Sequence, residues 1–151
     1  EDNILLPLVL AGVSHKEMNE RLKPLAKTLG IEEILKKYPY EVSGGQKQRA
    51  AVARALINSP KILLADEPTG ALDSKASARL LELFETINHT GQTILMVTHS
   101  VHAACHASRV LFIKDGVVFH QIYRGNANRD EMYRKINDTL TAMMSGGAEN
   151  E

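Results

Sequence analysis

The chain has 151 residues and a formal net charge of zero, with 18 Lys and Arg residues against 18 Asp and Glu residues. This balance argues against a nucleic-acid-binding surface, and 44% hydrophobic with 24% charged residues is typical of a globular domain. The single cysteine, Cys105, excludes an internal disulfide framework and is typical of a reducing compartment. No apolar run reaches the roughly 20 residues that a membrane-spanning helix needs.

The first third of the chain is predicted to be helical. Residues 4–13 form an apolar run after an acidic start, which predicts a core-facing helix or turn. Ser14 and Glu17 have the spacing of a capping box at the start of a second helix. We expect Pro24 to kink or divide this helix and Gly30 to end it. Apolar residues at helical spacing mark its buried face: Met18, Leu22, Leu25 and Leu29.

A short helix over residues 31–38 should follow, and a serine with two glycines precedes the next one. Ser43, Gly44 and Gly45 lie directly before residues 46–58, whose apolar residues fall on one helical stripe. Free amides at a helix start attract anions, and the helix dipole adds about half a positive charge. We therefore expect these three residues to offer amide and hydroxyl donors to a phosphate. An ordinary glycine-rich turn is the alternative, because a short glycine motif is a weak signal.

From residue 61 onwards the pattern alternates between strand and helix, which indicates a parallel sheet with helical crossovers. Residues 61–65 are an apolar run typical of a buried strand, and Asp66 and Glu67 follow at its carboxyl end. A crossover helix is predicted over residues 74–88, with Leu80, Leu81, Phe84 and Ile87 buried, and a second strand over 93–97.

The remaining elements are a short helix, a hairpin and a last helix. The short helix is expected near residues 101–107, and the hairpin strands 109–114 and 117–123 are joined by Asp115-Gly116, a strong two-residue turn signal. The last helix is expected to start near Asn128 and to present Ile136, Leu140 and Met143 on one face. Residues 145–151 are small and polar, so we expect a mobile tail, and its Ser-Gly-Gly is not followed by a helix.

Taken in order, these motifs resemble the nucleotide-binding domain of ABC transporters. The resemblance identifies Val42 to Arg49 as the signature motif, Ile62 to Asp66 as the Walker B strand, and Glu67 as the catalytic glutamate. It identifies Ala71-Leu72-Asp73 as the D-loop and His99 as the switch histidine. The amino-acid sequence of residues 68–74 resembles that of the family branch that serves lipoprotein release, macrolide export and peptide-antibiotic resistance.

The resemblance implies an α/β fold with a P-loop NTPase-like parallel sheet and helical crossovers, incomplete here and preceded by an α-helical subdomain. It predicts the helical subdomain, ending in the signature motif, over residues 1–58. A RecA-like portion of the core then spans residues 59–125, and a C-terminal helix with the mobile tail spans residues 126–151. In the family, the apolar segment at the start meets the coupling helix of the transmembrane partner.

The resemblance also implies ATP hydrolysis with Mg²⁺. Asp66 is expected to hold Mg²⁺, often through water. Glu67 is expected to polarise the attacking water as a general base or an orienting group, and His99 to donate to the terminal phosphate while holding Glu67. The expected ATP contacts are Ser43, Gly44, Gly45, Gln46 and Asp73.

Simpler interpretations of these residues remain open. Asp66 and Glu67 can be a solvated acidic turn, His99 can cap the helix after residue 97, and Asp73 can cap the helix that begins near Ser74. A zinc-ligand array is a less favoured alternative, because no second ligand cluster accompanies its residues. That array would consist of His99, His102, Cys105 and His106.

The phosphate-binding loop G-x-x-x-x-G-K-S/T is absent from the 151 residues. We therefore expect a C-terminal portion of the domain, lacking the Walker A half, that neither binds ATP tightly nor hydrolyses it alone. For the complete protein, the resemblance implies two partners, a second nucleotide-binding domain and a transmembrane permease. It also implies a cytoplasmic location, on the inner face of the cell membrane. The alternatives are a non-transport ATPase of DNA repair or the ribosome, and a non-enzymatic piece that only pairs with an intact subunit. The missing strands should leave sheet edges that favour self-association.

Overall fold

The computed structural model describes residues 1–145 and consists of two compact units, residues 1–97 and a unit that begins at Thr98. Each unit has its own hydrophobic core. Residues 146–151 of the predicted mobile tail, which include its Gly-Gly pair, lie outside the described residues, whereas Ser145 is the last residue of a helix.

The helices and strands follow the predicted order along the described chain. The first unit contains α1 (Asp2–Leu10), α2 (His15–Leu29), α3 (Gly44–Leu56), β1 (Ile62–Asp66), α4 (Ser74–His89) and β2 (Thr93–Val97). The second contains α5 (Val101–Ala104), β3 (Arg109–Lys114), β4 (Val117–Tyr123) and α6 (Arg129–Ser145). None of the helices within residues 1–145 is both long enough and apolar enough to cross a membrane.

Helix α2 has the predicted cap at each end, and it is not divided at Pro24. The Ser14 hydroxyl accepts a hydrogen bond from the Glu17 amide at 3.3 Å, and Gly30 ends the helix with a left-handed φ of 59°. The helix continues through Pro24, because the carbonyl that loses its partner belongs to the exposed residue Glu20 and can bind water.

The prediction of a short helix over residues 31–38 is wrong in its extent. Only a 3₁₀ turn over Glu32–Ile34 forms there, and a second one follows over Pro39–Glu41. Ile31 and Ile34 are both buried, and this spacing of three residues matches one turn of a 3₁₀ helix. The segment is therefore held against the core by two apolar residues rather than by helical periodicity.

The strands β1 and β2 form a parallel pair in which Asp66 lies opposite Val97. Helix α4 connects them, and the structure confirms the four residues that were predicted to be its buried face: Leu80, Leu81, Phe84 and Ile87. One face of the strand pair is covered, with Leu63 only 5% exposed, whereas Leu64 on the opposite face is 72% exposed. Parallel strands are normally covered on both faces, so this outer face is an uncovered apolar surface.

We predict that this outer face makes the isolated chain self-associate. Its exposed members are Ile62, Leu64, Leu95 and Val97. Changing Leu64 to Lys should shift the chain towards monomer in light scattering at high concentration, because a charge on this face disfavours its burial. Leu64→Ile keeps the apolar area and serves as the control. A wild-type chain that stays monomeric at high concentration would refute the prediction.

The second unit is a hairpin packed against α6. Strands β3 and β4 pair antiparallel, and the turn residues Asp115 and Gly116 have φ values of 52° and 79°, as a two-residue hairpin turn of this type requires. The buried cluster contains Cys105, Phe112, Ile122, Met132 and Ile136. Burial raises the pKa of the Cys105 thiol above its ordinary value, although the charges of Arg124 and Arg129 oppose this effect.

Candidate functional site

The start of α3 is a closed capping box. The Ser43 hydroxyl accepts from the Gln46 amide at 3.3 Å, and the Ser43 amide donates to the Gln46 side-chain oxygen at 2.9 Å. The amides of Gly44 and Gly45 occupy the first helical turn, where no intrahelical acceptor exists. The exposed Ser43 hydroxyl hydrogen and these two amides are therefore the donors that this helix start can offer to an anion.

The start of α4 lies close to the start of α3. A Cβ atom on Gly45 would lie 3.3 Å from the Cβ of Ala76, and one on Gly44 would lie 3.5 Å from a methyl group of Leu72. Asp73 caps α4, accepting from the Ala76 amide at 2.8 Å. The glycines thus permit a close approach that places Ser43 and Asp73, the caps of two helices, in neighbouring segments.

Two acids lie at the end of β1, as the sequence predicts. The exposed carboxylate of Asp66 has no hydrogen-bond or ion-pair partner within residues 1–145. Glu67 is half-buried, and its amide donates to the Val97 carbonyl at 2.8 Å, which extends the pairing of β1 and β2 by one residue. Both acids therefore lie where the carboxyl ends of two parallel strands meet.

The backbone of Glu67 is in the left-handed region, with a φ of 41°. A non-glycine residue rarely adopts this conformation, and such strain is concentrated at functional sites. The Glu67 carbonyl accepts from the Gly70 amide at 3.0 Å, so the following turn helps to hold it. This conformation was not among the expectations from the sequence, and the turn residues Pro68 to Gly70 were its only sequence signal.

His99 follows β2 by two residues and belongs to the second unit, where its side chain is exposed. Its assignment as the switch histidine stays a prediction. The rings of His102 and His106 have centroids 5.6 Å apart. Within the described part of the chain, no three His, Cys, Asp or Glu side chains come together in a group that could hold a metal ion.

Two depressions in the first unit differ in their relation to these residues. A groove of about 440 Å³ lies between α2, the end of α3 and the end of α4, and no predicted site residue lines it. A smaller depression of about 170 Å³ lies between α3 and β1 and includes Asp66. We place the candidate site residues at two positions: the end of β1 beside the smaller depression, where Asp66 lies, and the exposed start of α3, where the first-turn amides lie.

The residues present fit a magnesium–nucleotide complex. Mg²⁺ is usually held by one or two protein carboxylates together with water and phosphate oxygens, which matches the single unpartnered carboxylate of Asp66. The first-turn amides of Gly44 and Gly45 are suitable donors for phosphate oxygens. A bound Mg²⁺ would neutralise charge on the phosphates.

Two connections that the sequence analysis missed hold α3 to the preceding segment. The Gln46 side-chain nitrogen donates to the Glu33 carboxylate at 3.3 Å. Arg49 donates to the carbonyl oxygens of Leu29 and Gly30, at 3.4 and 3.1 Å. Neither pair has a sequence signal, because its partners are 13 to 20 residues apart.

Comparisons with known proteins agree on one family. The sequence model of the family described as "ABC transporter" matches residues 1–70. The bacitracin export ATP-binding protein BceA of Halalkalibacterium halodurans is 47% identical over 100% of this chain and 59% of its own length. The macrolide export ATP-binding/permease protein MacB of Shewanella sp. is 47% identical over 77% of this chain and 18% of its own length. The chain thus spans about three fifths of the length of BceA.

A solved structure supports the same conclusion. The dimeric bacterial ABC transporter cassette MJ0796 is 38% identical, with a TM-score of 0.65 over 80% of this chain and 54% of that one. The same cassette in a post-hydrolysis state, bound to ADP and Pi, has a TM-score of 0.61 at 39% identity, over 74% of this chain and 49% of that one. These cassettes share the α/β fold that the sequence predicts. The chain belongs to the ABC transporter ATP-binding family, and it comprises part of one nucleotide-binding domain.

Proposed function

We propose that this chain is the part of an ABC transporter ATPase that carries the signature motif and the hydrolytic acids. The complete protein would couple ATP hydrolysis to transport across a membrane. The observation that carries this proposal is the pair of acids at the end of β1, with Asp66 unpartnered and Glu67 in a left-handed backbone conformation. Phosphoryl transfer needs mainly positioning and charge stabilisation, and these are the groups that supply both.

Each residue has a defined role in this proposal. Asp66 holds Mg²⁺ and Glu67 takes a proton from the attacking water or orients it, while His99 donates to the terminal phosphate. Asp66 and Glu67 act on the ATP that the phosphate-binding loop of the completed domain holds. Ser43, Gly44 and Gly45 meet a different ATP, which is held by the phosphate-binding loop of a second nucleotide-binding domain. Gln46 and Asp73 belong to the same surface and support these contacts.

The partners and location follow from this assignment. The exposed apolar residues of α1, Leu6, Val9 and Leu10, are the proposed contact with a transmembrane permease on the cytoplasmic side of the membrane. The names of BceA and MacB point to the export of antibiotics as the class of transport for this branch.

A chimeric cassette tests this function. In it, this chain replaces the matching 59% of BceA from H. halodurans, so that the rest of that protein completes the domain. We expect the chimeric cassette to release phosphate from ATP with Mg²⁺. The 151-residue chain alone should show neither hydrolysis nor micromolar ATP affinity by calorimetry, because it lacks a phosphate-binding loop. A folded chimera without activity, or an isolated chain that binds ATP at micromolar concentration, would contradict the proposal.

A further inference from the structure

The side chain of Gln46 is held at both ends within the chain. Its oxygen accepts from the Ser43 amide at 2.9 Å, and its nitrogen donates to the Glu33 carboxylate at 3.3 Å. An ionised carboxylate is only an acceptor and an amide N–H is only a donor, so the chemistry of both partners demands this one orientation of the carboxamide. Gln46 therefore connects Glu33 to the capping box.

Glu33 lies on a firmly anchored segment. It belongs to the 3₁₀ turn Glu32–Ile34, whose residue Ile34 is buried, and the preceding Ile31 is fully buried. Arg49 joins the same segment to α3 a second time, through the carbonyl oxygens of Leu29 and Gly30. Residues 29–34 are thus joined to the N-terminal half of α3 through two separate side chains, Gln46 in its first turn and Arg49 in its second.

A carboxylate beside this helix start works against the binding of a phosphate there, because like charges repel. Its presence therefore needs a reason other than attraction of the ligand. We propose that Glu33 is a positioning residue, which acts through Gln46 to keep Ser43 in its capping conformation and the Gly44 and Gly45 amides aimed at the nucleotide. This inference rests on the proposed function and adds a residue to that site.

The test is a double-mutant cycle in the chimeric cassette. Glu33→Ala and Gln46→Ala should each lower kcat by about 10-fold, since small displacements of positioning groups have effects of this size or larger. The dissociation constant of ATP should stay within about 2-fold, because the phosphate-binding loop makes the primary contacts. The double variant should be no slower than Gln46→Ala alone, because both changes break one chain of hydrogen bonds.

Two further variants separate hydrogen bonding from charge and from folding. Glu33→Gln keeps an acceptor for Gln46 and should retain at least about half of the activity. Glu32→Ala alters the neighbouring exposed acid, whose side chain makes no hydrogen bond among the described residues, and should leave kcat unchanged.

Three outcomes would each overturn the inference. They are a wild-type kcat in Glu33→Ala, multiplicative losses of kcat in the double variant, and a loss of kcat in Glu33→Gln equal to that in Glu33→Ala. If Glu67→Gln abolishes turnover while Glu33→Ala does not affect it, only the positioning role fails; if Glu67→Gln has no effect, the proposed function itself fails.

Discussion

Replacing Glu67 with Gln is expected to lower the kcat of the chimeric cassette by at least about 100-fold. The change keeps the size of the side chain but removes the carboxylate that accepts a proton from the attacking water, and such general-base contributions are typically about 10²- to 10⁴-fold. ATP should bind as tightly as it does to the wild type. An ATP-bound dimer should persist, because hydrolysis no longer causes it to dissociate. Phosphate release and size-exclusion chromatography with ATP measure the two effects.

The control for this prediction is Glu82→Gln, which neutralises an exposed acid on α4 without touching the end of β1. It should leave kcat within about 2-fold of the wild type, because surface substitutions away from a site have small effects. Unchanged turnover in Glu67→Gln would remove Glu67 from the chemistry. A loss of ATP binding in step with kcat would instead assign it to ground-state binding.

Replacing Gly44 with Asp is expected to abolish turnover while leaving the fold as stable as before. A carboxylate at the first position of α3 interacts favourably with the helix dipole, by about 0.3–1 kcal/mol. The new Cβ atom would meet only ordinary contact, 3.5 Å from Leu72. Two like charges about 4 Å apart near a protein surface repel by about 4 kcal/mol, so the binding of a phosphate to the same amides should become at least about 100-fold weaker.

Gly44→Asn is the matched control, because it has nearly the same shape without the charge. We expect its kcat to exceed that of Gly44→Asp by at least about 10-fold, with thermal unfolding midpoints of both variants near or above the wild type. Equal losses in the two variants would show that bulk rather than charge matters at this position. A large fall in the unfolding midpoint of Gly44→Asp would show that the residue acts in folding.

Much of the local structure was predictable because its causes lie within a few residues. Strand β2 and both hairpin strands have the bounds that the alternation of elements predicted, and the turn at Asp115-Gly116 needs only its own two residues. The caps Ser14, Ser43 and Asp73 each bind an amide three residues further on. Errors arose where packing overrode local pattern, as in the 3₁₀ turn that replaced a predicted helix after Gly30.

The sequence by itself determined the order of the motifs, the α/β class and the family, because short-range spacing and periodicity encode them. Only the tertiary structure decided how those motifs are held. The left-handed φ of Glu67, the approach of α3 to α4 and the bond from Gln46 to Glu33 depend on residues that meet through folding. The physical reason is that side-chain hydrogen bonds and close packing act over a few ångströms in space, and a linear pattern does not reveal which distant residues will share that distance.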